Sequence, residues 1–344
     1  MVEVEKVWLI TGICGQDGSW FAEYLLEQGY RHVHGIMRRA STFNTKNIDP
    51  IFSQLTLHYG DLTDAMNIHK IISKVQPDFI VNFAAQSHVK VSHELENYTF
   101  QVNTMGILNI LQSVCSLGLE RQCRIYHAST SEMFGNQTQG DVLLTETSPM
   151  SPVSIYGISK LAAQQICNMY RDAYGMFIVS SILFNHEGSR RGHTFVTQKI
   201  ADYVAKYAIS NGDVYPLELG NLDARRDWGD AKDYMRAIYL MLMAEKPQNY
   251  VIATGETHSV REFVELAFQE IGVEIQWTSE NQGKDMKTNQ IVVQTNPRYY
   301  RDIDIECLIG DADKARQELG WTPQVTFREL VHHMVTNAIN QQQK

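Results

Sequence analysis

Two stretches hold residue types able to move protons. "STSE", Ser129 to Glu132, sets three hydroxyls and a carboxylate side by side, and "YGISK" spaces Tyr156 and Lys160 four positions apart. On a helix, positions i and i+4 share a face, so a phenol and an ammonium at that spacing can serve one substrate atom. A nearby ammonium lowers a phenol's pKa and lets it take a proton near neutral pH. Alone, Tyr-x-x-x-Lys is a common solvated helical pair, and a Glu in such a turn is often only a capping carboxylate. Both gain meaning from a third stretch, "LITGICGQDG", where Gly12, Gly15 and Gly18 recur every third residue. Between a strand and a helix, such a turn offers backbone N–H groups and a helix N-terminus to a pyrophosphate.

The end of the second strand selects the dinucleotide. An NAD site expects an acid about 20 residues beyond the glycines, on the ribose 2′-hydroxyl. "GIMRRAS" offers Arg38, Arg39 and Ser41 instead, and no acid. Two guanidiniums suit a 2′-phosphate, so the expected cofactor is NADP. Asp61 and Leu62 follow the third strand, at the place of an adenine edge. "AAQS", Ala84 to Ser87, follows the fourth, with small residues where a ribose must approach the backbone.

These groups need a frame. Apolar runs at 6–11, 32–37, 55–60, 78–84, 124–130 and 177–184 read as strands. Helical patterns at 19–29, 64–75, 98–117 and 156–174 separate them. Near-continuous apolar strands alternating with helices define an α/β fold with a doubly wound parallel (Rossmann) sheet. Beyond Asn185 the loops lengthen, with helices at 195–210, 230–244, 259–271 and 326–342 and a buried strand at 250–254. The expected organisation is an NADP-binding domain of residues 1–185 plus about 220–255. A smaller, interleaved C-terminal α/β substrate domain takes 186–219 and 256–344.

Composition narrows the class. With 44% apolar and 20% charged residues among 344, the chain reads as an ordinary globular protein with a sizeable core. A net charge of -9 argues against nucleic acid or an anionic membrane as main partner. The five cysteines are scattered and form no C-x-x-C pair, so reduced thiols are expected, with no disulfide frame and no metal site. Met1 to Lys6 carries two glutamates and no apolar leader, and no later run has membrane length. The expected location is the cytoplasm.

From end to end the chain resembles the extended short-chain dehydrogenase/reductases, and within them the GDP-mannose 4,6-dehydratases. "GQDGS", "HYGDLTD", "AAQSHVKVS" and "STSE" carry the likeness, and "NLDARRDWGDAKDY" and "ATGETHSVREF" carry it most specifically. The resemblance implies Thr130, Glu132, Tyr156 and Lys160 as catalytic residues. It implies cofactor contacts from Gly12, Gly15, Gln16, Asp17 and Gly18, from Arg38, Arg39 and Ser41, and from Asp61 and Leu62. Phe83, Ala84, Ala85, Gln86, Ser87, Tyr98, His186 and Arg191 complete that set, with Tyr156 and Lys160. Ser87, Ser131, Glu132, Asn185, Lys199, Arg226 and Arg301 would meet the nucleotide sugar, the arginines at its diphosphate.

The implied reaction turns GDP-mannose into its 4-keto-6-deoxy derivative, with side reduction at C4 to GDP-D-rhamnose as an option. A homodimer or homotetramer is implied as well. Ser131 stands where glucose-type dehydratases show Asp, which favours mannose. The chain departs from the family pattern at Cys14, Ile155, Gln198, Asp302 and Asp304, and "NHEGSRRG" lacks a usual Pro. Other readings are a dTDP- or CDP-glucose dehydratase, a 4-epimerase that gives Glu132 no task, and an NADP-binding regulator without turnover.

Overall fold

Strands form first where the apolar runs are longest. In the computed structural model, which describes residues 5–136, 142–210, 212–300 and 305–343, seven parallel strands make the central sheet. They are β1 (Val7–Thr11), β2 (His32–Met37), β3 (Thr56–Tyr59), β4 (Phe79–Asn82), β5 (Arg124–Ala128), β6 (Phe177–Leu183) and β7 (Asn249–Ile252). Their order is β7-β6-β5-β4-β1-β2-β3. The order reverses between β1 and β4, and an open α/β sheet binds its ligand in the crevice beyond such a point. Strands β4 and β7 are buried almost throughout because helices cover both faces. One face packs Trp8, Phe21, Tyr126 and Tyr234 into a core with helix Ala231–Met243. The other packs Leu9, Ile80, Ile125 and Ile178 against helices Ala65–Val75 and Gly106–Ser116.

The expected helices fall where the 3.6-residue pattern places them. Two short ones at Val89–Ser92 and Asp313–Leu319 were not expected, and one helix has an irregularity. Between Glu96–Phe100 and Gly106–Ser116 the chain makes a π-helical turn, Gln101–Met105. Such turns cluster at functional sites because they re-aim a side chain. Here the turn buries Asn103, which donates to the Gln86 carbonyl and to Ser159 Oγ, both at 3.0 Å.

Several short strands of the C-terminal half correct the expectation of loops and isolated helices. Leu217–Leu219, Ile275–Ser279, Gln282–Asp285 and Ile291–Thr295 form a four-stranded sheet, three of them antiparallel. Helices Val196–Ile209, Val260–Gln269 and Phe327–Gln342 share a separate core around Trp228, Phe263 and Val331. Two ribbons stitch the halves together. Asn185–Glu187 pairs with Trp228–Asp230, and Arg225–Arg226 lies between His258–Ser259 and Cys307–Leu308. These segments are only two or three residues long, so no period-2 pattern could announce them.

All five cysteines are free. Among the described residues, no cluster of His, Cys, Asp and Glu is placed to hold a metal, and no helix is long and apolar enough to cross a membrane.

Candidate active site

A cleft of about 1110 Å³ runs across the C-terminal ends of the sheet strands. Its first wall is the glycine turn. Gly12 has a φ of +69°, and a Cβ there would stand 2.9 Å from the Ala84 amide nitrogen. Only glycine lets the loop after β1 lie against the loop after β4. Gly15 caps helix Gln16–Glu27 with no side-chain bond, so the positive helix end is left to the cleft. The open helix end, the close-packed turn and the length of the cleft fit a dinucleotide.

Asp17 lies in that first helical turn, on the wall of the cleft. Burial pushes its carboxyl up, but the charge and hydrogen bond of His186, with help from Gln16 and Arg191, hold it below the usual value. His186 Nε2 stands 3.0 Å from Asp17 Oδ2, and its Nδ1 is 2.9 Å from the Phe184 carbonyl. Burial pulls the imidazole down and Asp17 more than reverses this. The pair neutralises a carboxylate that would otherwise repel an incoming phosphate.

The proton-moving groups meet at the middle of the cleft. Strand β5 ends at Ala128 and delivers buried Ser129, Thr130 and Ser131. Thr130 caps the short turn Ser131–Met133, accepting the Glu132 N–H at 3.3 Å. Helix Ile155–Tyr174 begins at Ser154, whose hydroxyl accepts the Gly157 N–H at 3.0 Å. At Gly157 a Cβ would lie 2.8 Å from the Glu132 carbonyl, so the glycine lets the helix press against the "STSE" turn.

Tyr156 is hydrogen-bonded with Thr130, and its phenol is pushed up to about 12. Burial is the main cause, and Glu132 and Asp17 add to it while Thr130 and Arg191 oppose. Lys160 donates from Nζ to the Ala128 carbonyl at 2.8 Å, and burial lowers its ammonium to about 8. The expectation that Lys160 lowers the phenol is therefore not met in the ligand-free cleft. The cation that lowers it there is Arg191.

Most residues singled out in the sequence line this one cleft. Arg38 does so and donates to the Tyr98 hydroxyl at 2.5 Å, beside Asp61 and Leu62. Phe83, Ala84, Ala85, Gln86 and Ser87 form the opposite wall. Arg39 and Ser41 do not reach it: the Arg39 guanidinium folds back on the Ala40 carbonyl. At the far end stand Asn185, Lys199 and Arg226. Lys199 Nζ lies 3.6 Å over the Tyr299 ring and donates to the Glu218 carbonyl. Arg226 is buried and donates to the Ile305 carbonyl at 2.7 Å. Arg301, Asp302 and Asp304 lie outside the described residues. Asn103, Glu187, Thr197 and Tyr299 are not among the site residues expected from the sequence, because nothing in their local spacing gives them a role.

A doubly wound sheet whose crevice joins a glycine turn, a Ser/Thr/Glu turn and a Tyr-x-x-x-Lys helix defines an extended short-chain dehydrogenase/reductase. The family model described as GDP-mannose 4,6 dehydratase matches residues 9–334. The GDP-mannose 4,6 dehydratase of Drosophila melanogaster is 48% identical over 342 residues, covering 96% of this chain and 85% of that protein. The GDP-mannose 4,6-dehydratase of Vibrio cholerae is 45% identical, covering 96% and 93%. The chain belongs to the GDP-mannose 4,6-dehydratase family. In three dimensions it is similar to the UDP-glucose 4-epimerase of Thermus thermophilus solved with NAD. The TM-score is 0.81 and the identity 26%, with 96% of this chain and 98% of that one covered. A nicotinamide dinucleotide is the cofactor such a cleft accepts.

Proposed function

We propose that the chain converts GDP-D-mannose to GDP-4-keto-6-deoxy-D-mannose with loss of water, using NADP. One observation carries the reading: the Tyr156 phenol is hydrogen-bonded with Thr130 and feels the charge of Glu132, and all three residues line the same cleft. Bound dinucleotide supplies a reversible hydride acceptor, so hydride leaves C4 of the hexose and re-enters at C6. Tyr156 takes the proton of the C4 hydroxyl, and Thr130 holds that oxygen in line. A ketone at C4 makes the C5 proton acidic. Glu132 removes it, then returns a proton to the C6 hydroxyl, which departs as water, and C5 takes up a proton as hydride adds at C6. One carboxylate working twice needs no second acid, which accounts for Ser131 beside it. An epimerase would leave Glu132 idle.

Arg38 directly after β2, where the sequence carries no acid, supports NADP over NAD. We assign the dinucleotide to residues 1–185 plus about 220–255 and the nucleotide sugar to 186–219 and 256–344. The mass of GDP-mannose after incubation with the protein and NADP tests the reaction. Loss of one water supports it, an isobaric product makes the protein an epimerase, and unchanged substrate removes the proposal.

A further inference from the structure

We propose that Glu187 is a positioning residue that aims Arg191 at the dinucleotide pyrophosphate, an inference that rests on the cofactor reading above. Strand Asn185–Glu187 pairs with Trp228–Asp230, and alternation along it sends Asn185 and Glu187 to one side and His186 to the other. His186 meets Asp17, whereas Glu187 faces the loop that carries Arg191. The Glu187 side chain is only 2% exposed, yet it forms part of the cleft wall. A buried carboxylate needs partners to remain ionised. Thr197 donates its hydroxyl to Oε2 at 2.5 Å from the first turn of helix Val196–Ile209, which has no side-chain cap. Arg191 Nε stands 2.9 Å from the same oxygen, a charge contact and not an aligned hydrogen bond.

Three constraints thus fix one arginine. The ion pair holds its Nε end, the Phe195 ring lies 3.7 Å beneath its guanidinium, and its amide is tied to the Gly188 carbonyl at 3.0 Å. Arg191 lines the same cleft as Tyr156, Asp17, His186 and the glycine turn, and its charge is felt by the first three. That is where the pyrophosphate must pass. With Nε turned to Glu187, the fork of terminal nitrogens is left for an anion, the geometry in which arginine grips phosphate best. Without the carboxylate, a long flexible side chain would have to be ordered by each cofactor that binds.

The test is cofactor affinity, measured by calorimetry on the full chain and independent of turnover. Glu187→Gln is expected to raise the Kd for NADP about tenfold, because Arg191 is no longer held in place to make its charged hydrogen bond to the pyrophosphate. It should leave 2′-AMP, which has no pyrophosphate, unchanged. Arg191→Gln should do the same, and the double variant should bind NADP no more weakly than Arg191→Gln alone. Additive losses, or equal losses for 2′-AMP, would show that Glu187 serves only the fold. Wild-type affinity in Glu187→Gln would overturn the proposal directly. If that variant does not fold, Thr197→Val must show a loss of the same kind, and no loss there rejects the idea. Should the wild type prefer NAD, the cofactor reading fails separately, and the same comparison is made with NAD, which has the same pyrophosphate.

Discussion

Glu132 divides the proposed reaction into two observable halves. Oxidation at C4 needs Thr130, Tyr156 and Lys160, so Glu132→Gln should still turn bound NADP into NADPH, seen by absorbance, when given GDP-mannose. Elimination should then stall, and dehydration should fall by a factor on the order of 10²–10⁴. In heavy water the wild type should place deuterium at C5 and the variant should not. Tyr156→Phe should give no NADPH signal. A Gln variant that dehydrates at near-normal rate would leave Glu132 a bystander. The phenol adds a pH dependence: burial holds it up at about 12 before ligands enter. The first hydride transfer should therefore quicken between about pH 6 and 9, and a flat profile would remove Tyr156 as the base. Arg38 lines the cleft and Arg39 does not. Arg38→Ala should weaken NADP about tenfold or more while sparing NAD, and Arg39→Ala should do less. Equal losses for both cofactors after Arg38→Ala would refute the phosphate contact.

Among the elements, the shortest strands carry the end of the cleft proposed for the nucleotide sugar. Arg225–Arg226 brings Arg226 to the cleft, and the next residue locks that strand in place. Asp227 accepts the Thr254 N–H and hydroxyl at 2.8 and 2.7 Å, and the Gly255 and Gly310 N–H groups at 3.0 and 3.3 Å. Burial raises its carboxyl to about 6, and these hydrogen bonds only partly bring it down. The folded state thus holds this proton more tightly than the unfolded chain, where an aspartate titrates near about 3.9. The resulting stabilisation is present below about pH 4 and is lost as pH rises through about 6. Asp227→Asn should remove that slope from the pH dependence of Tm. It should also lower Tm at neutral pH, because an amide –NH₂ facing N–H donors leaves buried groups unpaired at about 1–3 kcal/mol each. Through Arg226 it should raise KM for GDP-mannose more than it lowers kcat. An unchanged KM would mean that the clasp does not set the arginine.

At the scale of the whole molecule, the outer face of helix Ile155–Tyr174 is left uncovered. Ile158 is 41% and Met169 48% exposed, eleven residues apart and so on one side of the helix. We propose that a second copy covers this face in a homodimer or homotetramer. Sedimentation should give two or four copies per particle, and Ile158→Glu with Met169→Glu should shift it toward the monomer. A monomeric wild type at micromolar concentration would sink the proposal. Because the same helix begins with Tyr156, loss of the interface should also lower activity at dilution.

The local signals in the sequence were enough for the seven parallel strands, the helices between them, the glycine turn and the pairing of "STSE" with "YGISK". Each is written in nearest-neighbour chemistry: period 2 or 3.6, a glycine where φ is positive, a Ser cap before a helix. Tertiary structure decided what depends on distant segments meeting. The π-turn carries Asn103 to Gln86 and Ser159, which reach it from other elements. Arg38 was chosen over Arg39 by a turn of the backbone that composition does not record. The phenol of Tyr156 is governed by burial first, then by Thr130 and Glu132 and by Arg191 from 35 positions away, not by the lysine one helical turn on. Glu187 looked like any acid after a strand until Thr197 and Arg191 closed around it. Spacing along a chain fixes which side chains share a face, but the charge a group feels is set by everything folded against it.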